Sequence, residues 1–337
     1  MTNLAAFRPL VTGQAAYPYQ AALRLLGVTA RLLTDSSALQ GAVSAAYGAP
    51  AFQPTPARRP ACSLRALTSC PGWSLVLSWD GRATFARWNP GLARYDQYRI
   101  EWASGQQGPA GYFATRDLAA AQARPEATLD LFAVVVERRL LALTLARRPH
   151  HYLVHAGVLA GRRGAILLVG GSTQGKTTLS LCLAQTGLRF LSDDYAALDA
   201  RRRLVHPFPT ALRLRQASLA LLPGLALPRL AWNADANGDL RACVPPHQVV
   251  QVADAPAPVG SVFLLQEFAS RPRGEPLGPS RALVEALRAA NLPLREPGQA
   301  LCDLAPTFAA ARCYRLWPGP PADTAALVRA LAGEDDG

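Results

Sequence analysis

The chain has 337 residues, half of them apolar and 17% charged, with 35 Lys and Arg against 23 Asp and Glu; this excludes a disordered or fibrous protein and provides for about two domains at ~150 residues each. No apolar stretch reaches the ~18 residues of a membrane-spanning helix, because Glu137, Arg138 and Arg139 interrupt the best candidate. The formal charge of +12 lies in scattered pairs such as Arg58-Arg59 and Arg162-Arg163 and one triplet, Arg201 to Arg203, without interleaved aromatics, a pattern of solvated basic surface rather than of a nucleic-acid groove.

Met1 to Leu10 lack a basic segment followed by an apolar run, so no secretory signal is predicted and a cytoplasmic location is expected. Cys62, Cys70, Cys182, Cys243, Cys302 and Cys313 form no CxxC pair, which predicts buried free thiols rather than a zinc site. The first seventy residues are rich in Ala, Leu and Pro, with a turn-prone stretch from Pro50 to Pro60, and assign only weakly. Leu75 to Trp79, an Asp80-Gly81 turn and Arg82 to Trp88 read as a hairpin, and Tyr95 to Trp102 as a further strand. A helix is expected from about Leu131 to Ala146.

From His150 the pattern changes. A strand is predicted over Tyr152 to Leu159, a turn at Gly161 to Gly164, and a buried strand over Ala165 to Val169. A Gly-rich loop follows, then a helix from Lys176 to Gln185 stopped by Gly187, then a strand from Leu188 to Leu191 running into Ser192-Asp193-Asp194. Beyond Arg203 the sequence is Pro-rich; a strand at Ser261 to Gln266 and helices near Ser280 to Ala290 and Thr324 to Ala332 stand out, and the Glu334-Asp335-Asp336 tail reads as frayed.

One compositional fact is sharper than the net charge: of the 35 basic residues, 34 are Arg, and the single Lys is Lys176. It marks a place that requires a compact ammonium. Gly170-Gly171-Ser172-Thr173-Gln174-Gly175-Lys176-Thr177 satisfies GxxxxGK[ST] between an apolar strand and a helix, with Thr178 next in the helix. Glycines let successive N–H groups point at phosphate oxygens, and the helix start adds a positive dipole. Lys176 is expected to reach the β- and γ-phosphates of ATP and the Thr177 hydroxyl to ligate Mg²⁺.

Phosphoryl transfer also needs a group that positions or deprotonates the acceptor. Asp193 and Asp194 supply two candidates. Adjacent strand residues point to opposite faces, so one carboxylate is expected to face the metal and acceptor while the other is held by supporting partners. Arg213 and Arg215 share one strand face and are candidates for gripping phosphate or an acidic substrate, with surface arginines as the plainer reading. Asn233 to Gly238 starts like a calcium loop, but Val244 occupies the position of the bidentate Glu, so a polar turn is expected. His206 and His247 have no metal-ligand partners at helical or turn spacing and receive no role.

His155, the 15-residue step to Gly170, the loop, Gly187 and Asp193-Asp194 together resemble the HPr kinase/phosphorylase family and its bacterial relatives, over an ungapped stretch from Leu153 to Leu198. The resemblance implies an α/β kinase domain related to that of ATP-dependent phosphoenolpyruvate carboxykinase, built on a mixed sheet over residues 150–337 and preceded by a β-containing lobe over 1–149. It implies a serine kinase with Asp194 as the base that takes the hydroxyl proton and with His155 at that centre; Asp193 joins Thr177 as the metal-binding pair. The chain departs from the family in carrying Thr173 where Gly is usual and Thr177 where Ser is frequent, and the family's later Glu and Arg-Gly signature is absent after Arg203. It looks like a shortened relative, some of which phosphorylate a serine of a precursor peptide in natural-product clusters. The expected cofactors are ATP and Mg²⁺ and the expected partner a peptide or protein with an acceptor serine, with self-association allowed. A small-metabolite kinase and a non-catalytic nucleotide-binding switch share the same loop.

Overall fold

The computed structural model describes residues 4–12, 17–47, 52–53, 60–92, 94–113, 125–171, 173–208, 210–230, 232–234, 240–289 and 297–334. Two compact units divide between Arg147 and Arg148. Each is an arrangement of helices with a mixed sheet, so the chain is of the α/β class. Of the sequence motifs, Ser172, Asp335, Asp336, most of Pro50 to Pro60 and the part of the Asn233 turn beyond Ala234 lie outside the described residues.

The N-terminal unit holds strands β1 (Tyr19–Leu25), β2 (Val28–Thr34), β3 (Phe52–Gln53), β4 (Cys62–Leu67), β5 (Leu75–Trp79), β6 (Arg82–Asn89), β7 (Arg94–Glu101) and β8 (Gln107–Phe113), in the spatial order 3-1-2-4-5-6-7-8. All neighbours are antiparallel except β2 and β4. The Asp80-Gly81 turn has both residues in the left-handed region, at φ 39° and 74°, as the two-residue hairpin between β5 and β6 requires. Helices α1 (Ser37–Tyr47) and α2 (Pro125–Ala146), with a short helix over Arg8–Thr12, also belong to this unit. One of its core clusters holds an aromatic group: Phe85 packs 5.2 Å from Trp73 and 5.7 Å from Phe7, between ring centroids. The weakly assigned first seventy residues thus contain four strands, one of them only two residues long, and two α-helices among the described residues, and α2 begins six residues before the expected Leu131.

The C-terminal unit is built on β9 (His151–Val154), β10 (Ala156–Gly161), β11 (Gly164–Val169), β12 (Arg189–Ser192), β13 (Ala196–Asp199) and β14 (Leu204–His206), with β15 (Leu212–Arg215), β16 (Asn233–Ala234), β17 (Leu240–Val244), β18 (Ala257–Leu265), β19 (Arg273–Pro276) and β20 (Arg312–Trp317) following. β12, β10, β11 and β18 lie side by side. The long β18 then serves two neighbours: its first residues pair with β14, which leads to β13 and β9, and Ser261 to Leu265 pair in parallel with β20. β11 is buried at every residue and parallel to β18, as a continuous apolar run in the middle of an α/β sheet must be. Helix α3 (Lys176–Gln185) packs over this sheet with α6 (Pro321–Ala332), while α4 (Pro279–Arg288) and α5 (Pro297–Ala310) lie with the other core cluster. β15, β17 and β16 form a separate three-stranded sheet.

The structure corrects three expectations here and adds one helix. The strand expected over Tyr152 to Leu159 is two strands, because the chain bends at His155 and passes from β13 as partner to β11 and β12. The Pro-rich segment contains α5, with Pro306 inside it. Cys62, Cys70, Cys182 and Cys313 are buried as expected for structural thiols, but Cys243 and Cys302 are exposed. Glu334 is not frayed: it is 4% exposed, and its carboxylate accepts the Arg162 and Arg163 amides at 2.8 and 2.9 Å, tying the β10–β11 turn to the second residue beyond α6.

Candidate active site

β11 ends at Val169, and the chain turns through the Gly-rich loop into α3. Gly175 precedes the helix at φ 80°, where a Cβ would be strained and would lie 3.2 Å from the Phe268 ring. Thr173 also adopts a left-handed conformation, φ 70°, without the freedom of glycine; such a position costs on the order of 1–3 kcal/mol. Gln174 folds the loop back on itself, its Oε1 accepting the Gly171 N–H. Since Gly175 offers no capping side chain, the N–H groups of Lys176, Thr177 and Thr178 have no intrahelical partner and carry the positive end of the helix.

Lys176 is 7% exposed, and its ammonium donates to the carbonyls of Gly170 at 3.0 Å and Gly171 at 2.6 Å. Burial lowers its pKa, with the charges of Asp193 and Asp194 opposing. The Thr177 hydroxyl donates to Asp193 Oδ2 at 2.7 Å. Asp193 is 4% exposed, and its other oxygen, Oδ1, is buried with no hydrogen-bond partner among the described residues. Burial, and then the charge of Asp194, push the Asp193 carboxyl up to about 7, against the Thr177 bond and the charges of Lys176 and Arg213. Asp193 and Asp194 occupy a bend between β12 and β13 rather than a strand, so their separation follows from the bend: Asp193 is buried and Asp194 half-buried.

His155 lies at the bend between β9 and β10, its Nδ1 2.9 Å from the main-chain oxygen of Asp194. A carbonyl only accepts, so the proton resides on Nδ1 and Nε2 carries the lone pair. Burial and the Lys176 charge lower its pKa, while the Asp194 carbonyl and carboxylate oppose them. Arg213 and Arg215 alternate with buried Leu212 and Leu214 on β15, hence share its outer face.

The described loop residues, Lys176, Thr177, Asp193, Asp194 and His155 therefore converge on one end of β11. Two features were not read from the sequence. Phe268, just beyond β18, is 64% exposed beside Gly175; an aromatic three residues past a buried parallel strand was the available signal. His206, given no role, lies with His151 and Asp199, which strand register brings together and linear spacing does not show.

Mg²⁺ takes hard oxygen donors and binds through one or two carboxylates while keeping several waters. The Thr177 hydroxyl and the Asp193 carboxylate with its unpartnered buried oxygen fit that ion. No family model matches the chain, and no curated protein matches it.

Proposed function

We propose that the C-terminal unit is an ATP-dependent kinase that transfers the γ-phosphoryl group to a hydroxyl, with a seryl side chain of a peptide or protein as the acceptor. The observation that carries this reading is the linkage of Lys176, Thr177 and Asp193 at the mouth of a glycine-rich loop and a helix start. The N–H groups at the start of α3 would take phosphate oxygens, and Lys176 would lie along the β- and γ-phosphates. Its burial favours this role, because an ammonium already stripped of water acts in a low dielectric and needs little reorganisation. Thr177 and Asp193 would hold Mg²⁺, which when bound neutralises charge on the β- and γ-phosphoryl oxygens. Phe268, exposed beside Gly175, would be available to stack on the nucleotide base.

Asp194, less buried than its neighbour, would accept the proton of the acceptor hydroxyl. His155 acts on it through the main chain: the Nδ1–H bond to the Asp194 carbonyl holds the bend in place. Arg213, whose charge reaches Asp193, and Arg215 on the same strand face suit an acidic or phosphorylated segment of the acceptor. The serine acceptor itself rests on the resemblance to the HPr kinase-type enzymes.

The test is the Asp194→Asn variant, with transfer to candidate peptides and metabolites read by intact mass and ATP affinity by calorimetry. A base is needed for the reaction and not for the ground-state complex, so transfer should fall at least ~10²-fold while affinity stays within about twofold. Unchanged transfer would remove Asp194 from the reaction. Mg-ATP binding without transfer to any acceptor would favour a nucleotide-driven switch.

A further inference from the structure

A second set of polar side chains lies away from the loop, on the β9–β13–β14 part of the sheet. Register places His151 directly opposite Asp199, and Asp199 is two residues from Ala197, the partner of His206. Because side chains alternate along a strand, His151, Asp199 and His206 all project from one face. The intervening Leu198, with Tyr152 and Val205, packs into the core on the other. The three side chains are 10%, 9% and 21% exposed.

Their polar atoms converge without satisfying one another. His151 Nε2 is 3.9 Å and His206 Nε2 3.7 Å from Asp199 Oδ2, beyond hydrogen-bond range, and the imidazole centroids are 5.3 Å apart. His206 Nε2 is buried without a hydrogen-bond partner among the described residues. The Asp199 carboxylate is oriented from behind: its Oδ1 accepts the Arg201 and Arg202 amides at 3.1 and 3.2 Å, leaving Oδ2 toward the rings. One ligand atom from each residue lies within 4.8 Å of the others, a spread that small side-chain rotations close onto metal bonds of about 2.0–2.2 Å.

We propose that His151, Asp199 and His206 bind one divalent transition-metal ion, of the Zn²⁺ class, which clips β9, β13 and β14 together. Two imidazoles and a carboxylate with a held second oxygen are a donor set for such ions. Neutral imidazole is the ligating form, and burial lowers the pKa of both rings, with the charges of Arg148 and Arg202 adding to it and Asp199 opposing. Those two guanidinium charges also oppose any cation. The ion must therefore gain strongly from nitrogen ligation, which selects Zn²⁺ and its neighbours and excludes Mg²⁺ and Ca²⁺. The site differs in donor type from the oxygen pair Thr177 and Asp193, and it stands whether or not the chain is a kinase.

The test is titration of metal-free, tag-free, full-length protein with Co²⁺, followed by visible absorption. We expect one equivalent to develop the d–d bands of a nitrogen and oxygen site, Zn²⁺ to bleach them by displacement, and millimolar Mg²⁺ to leave them unchanged. His151→Gln and His206→Gln, checked for folding by circular dichroism, should each weaken Co²⁺ binding on the order of tenfold or more. His247→Gln, at an exposed histidine outside the cluster, should not. Absence of bands in the wild type, intense thiolate bands pointing to the exposed cysteines, displacement by Mg²⁺, or bands that survive in folded His206→Gln protein would each overturn the proposal. The wild-type titration decides alone if the cluster variants fail to fold.

Discussion

The two units fill their interiors differently. In the N-terminal unit Phe85 is wholly buried against Trp73 and Phe7, one charged side chain, Glu137, is buried among the described residues, and the ion pair between Arg82 and Glu101 stays on the surface. The C-terminal unit buries more charge: Lys176, Asp193, Asp199 and Glu334 are all buried. A fold gains little from burying an ion that apolar packing could replace, and an incompletely paired carboxylate is a cost. The contrast teaches where the molecule tolerates instability, and such places are where ligands and chemistry are sought.

That contrast breaks if substitutions at equal burial act with equal sign. The largest effect is expected for Phe85→Ala, which removes a fully buried ring and should lower the stability of the N-terminal unit by about 3–5 kcal/mol in chemical denaturation. Asp193→Asn should do the opposite in the metal-free protein, raising stability by on the order of 1–3 kcal/mol, because the amide keeps an acceptor for Thr177 and removes a buried charge. The pH dependence sharpens this expectation. The folded protein holds the Asp193 proton up to about 7 while the unfolded carboxyl releases it near the ordinary 3.8, so the folded form binds more protons between these values and this group lowers stability as pH rises through them. The gain from Asp193→Asn should therefore be greatest near pH 8 and vanish toward about pH 4; a gain independent of pH would show that charge is not the cause. The smallest effect concerns the loop backbone. Thr173→Gly relieves the left-handed threonine and should stabilise by about 1 kcal/mol, less the entropy that glycine returns to the unfolded chain, as thermal denaturation would measure.

The loop, its helix and the strand before it were legible because each is fixed by local chemistry. An apolar run, glycines at a tight turn and Gly187 past the last turn specify β11, the loop and α3 within a residue or two. The Asp80-Gly81 hairpin was legible for the same reason. The bend at His155 was not, since Leu153 to Leu159 is a nearly continuous apolar run and only the choice of partner strands divides it. α5 was hidden by Pro306, which reads as a helix breaker in isolation yet sits inside a packed helix. The buried state of Asp193 against the half-buried Asp194 was equally out of reach, because a bend and not strand alternation separates the two carboxylates. The histidine cluster depends on cross-strand register and has no signature in linear spacing.

The Glu334 clasp on the β10–β11 turn has a practical corollary for handling the polypeptide. Shortening the chain to end at Gly333 would strip the acceptors from two amides at a hairpin whose second strand leads straight into the glycine-rich loop. An affinity handle joined after Glu334 leaves that anchorage whole, and a protease that nicks the chain just ahead of Glu334 would loosen the hairpin.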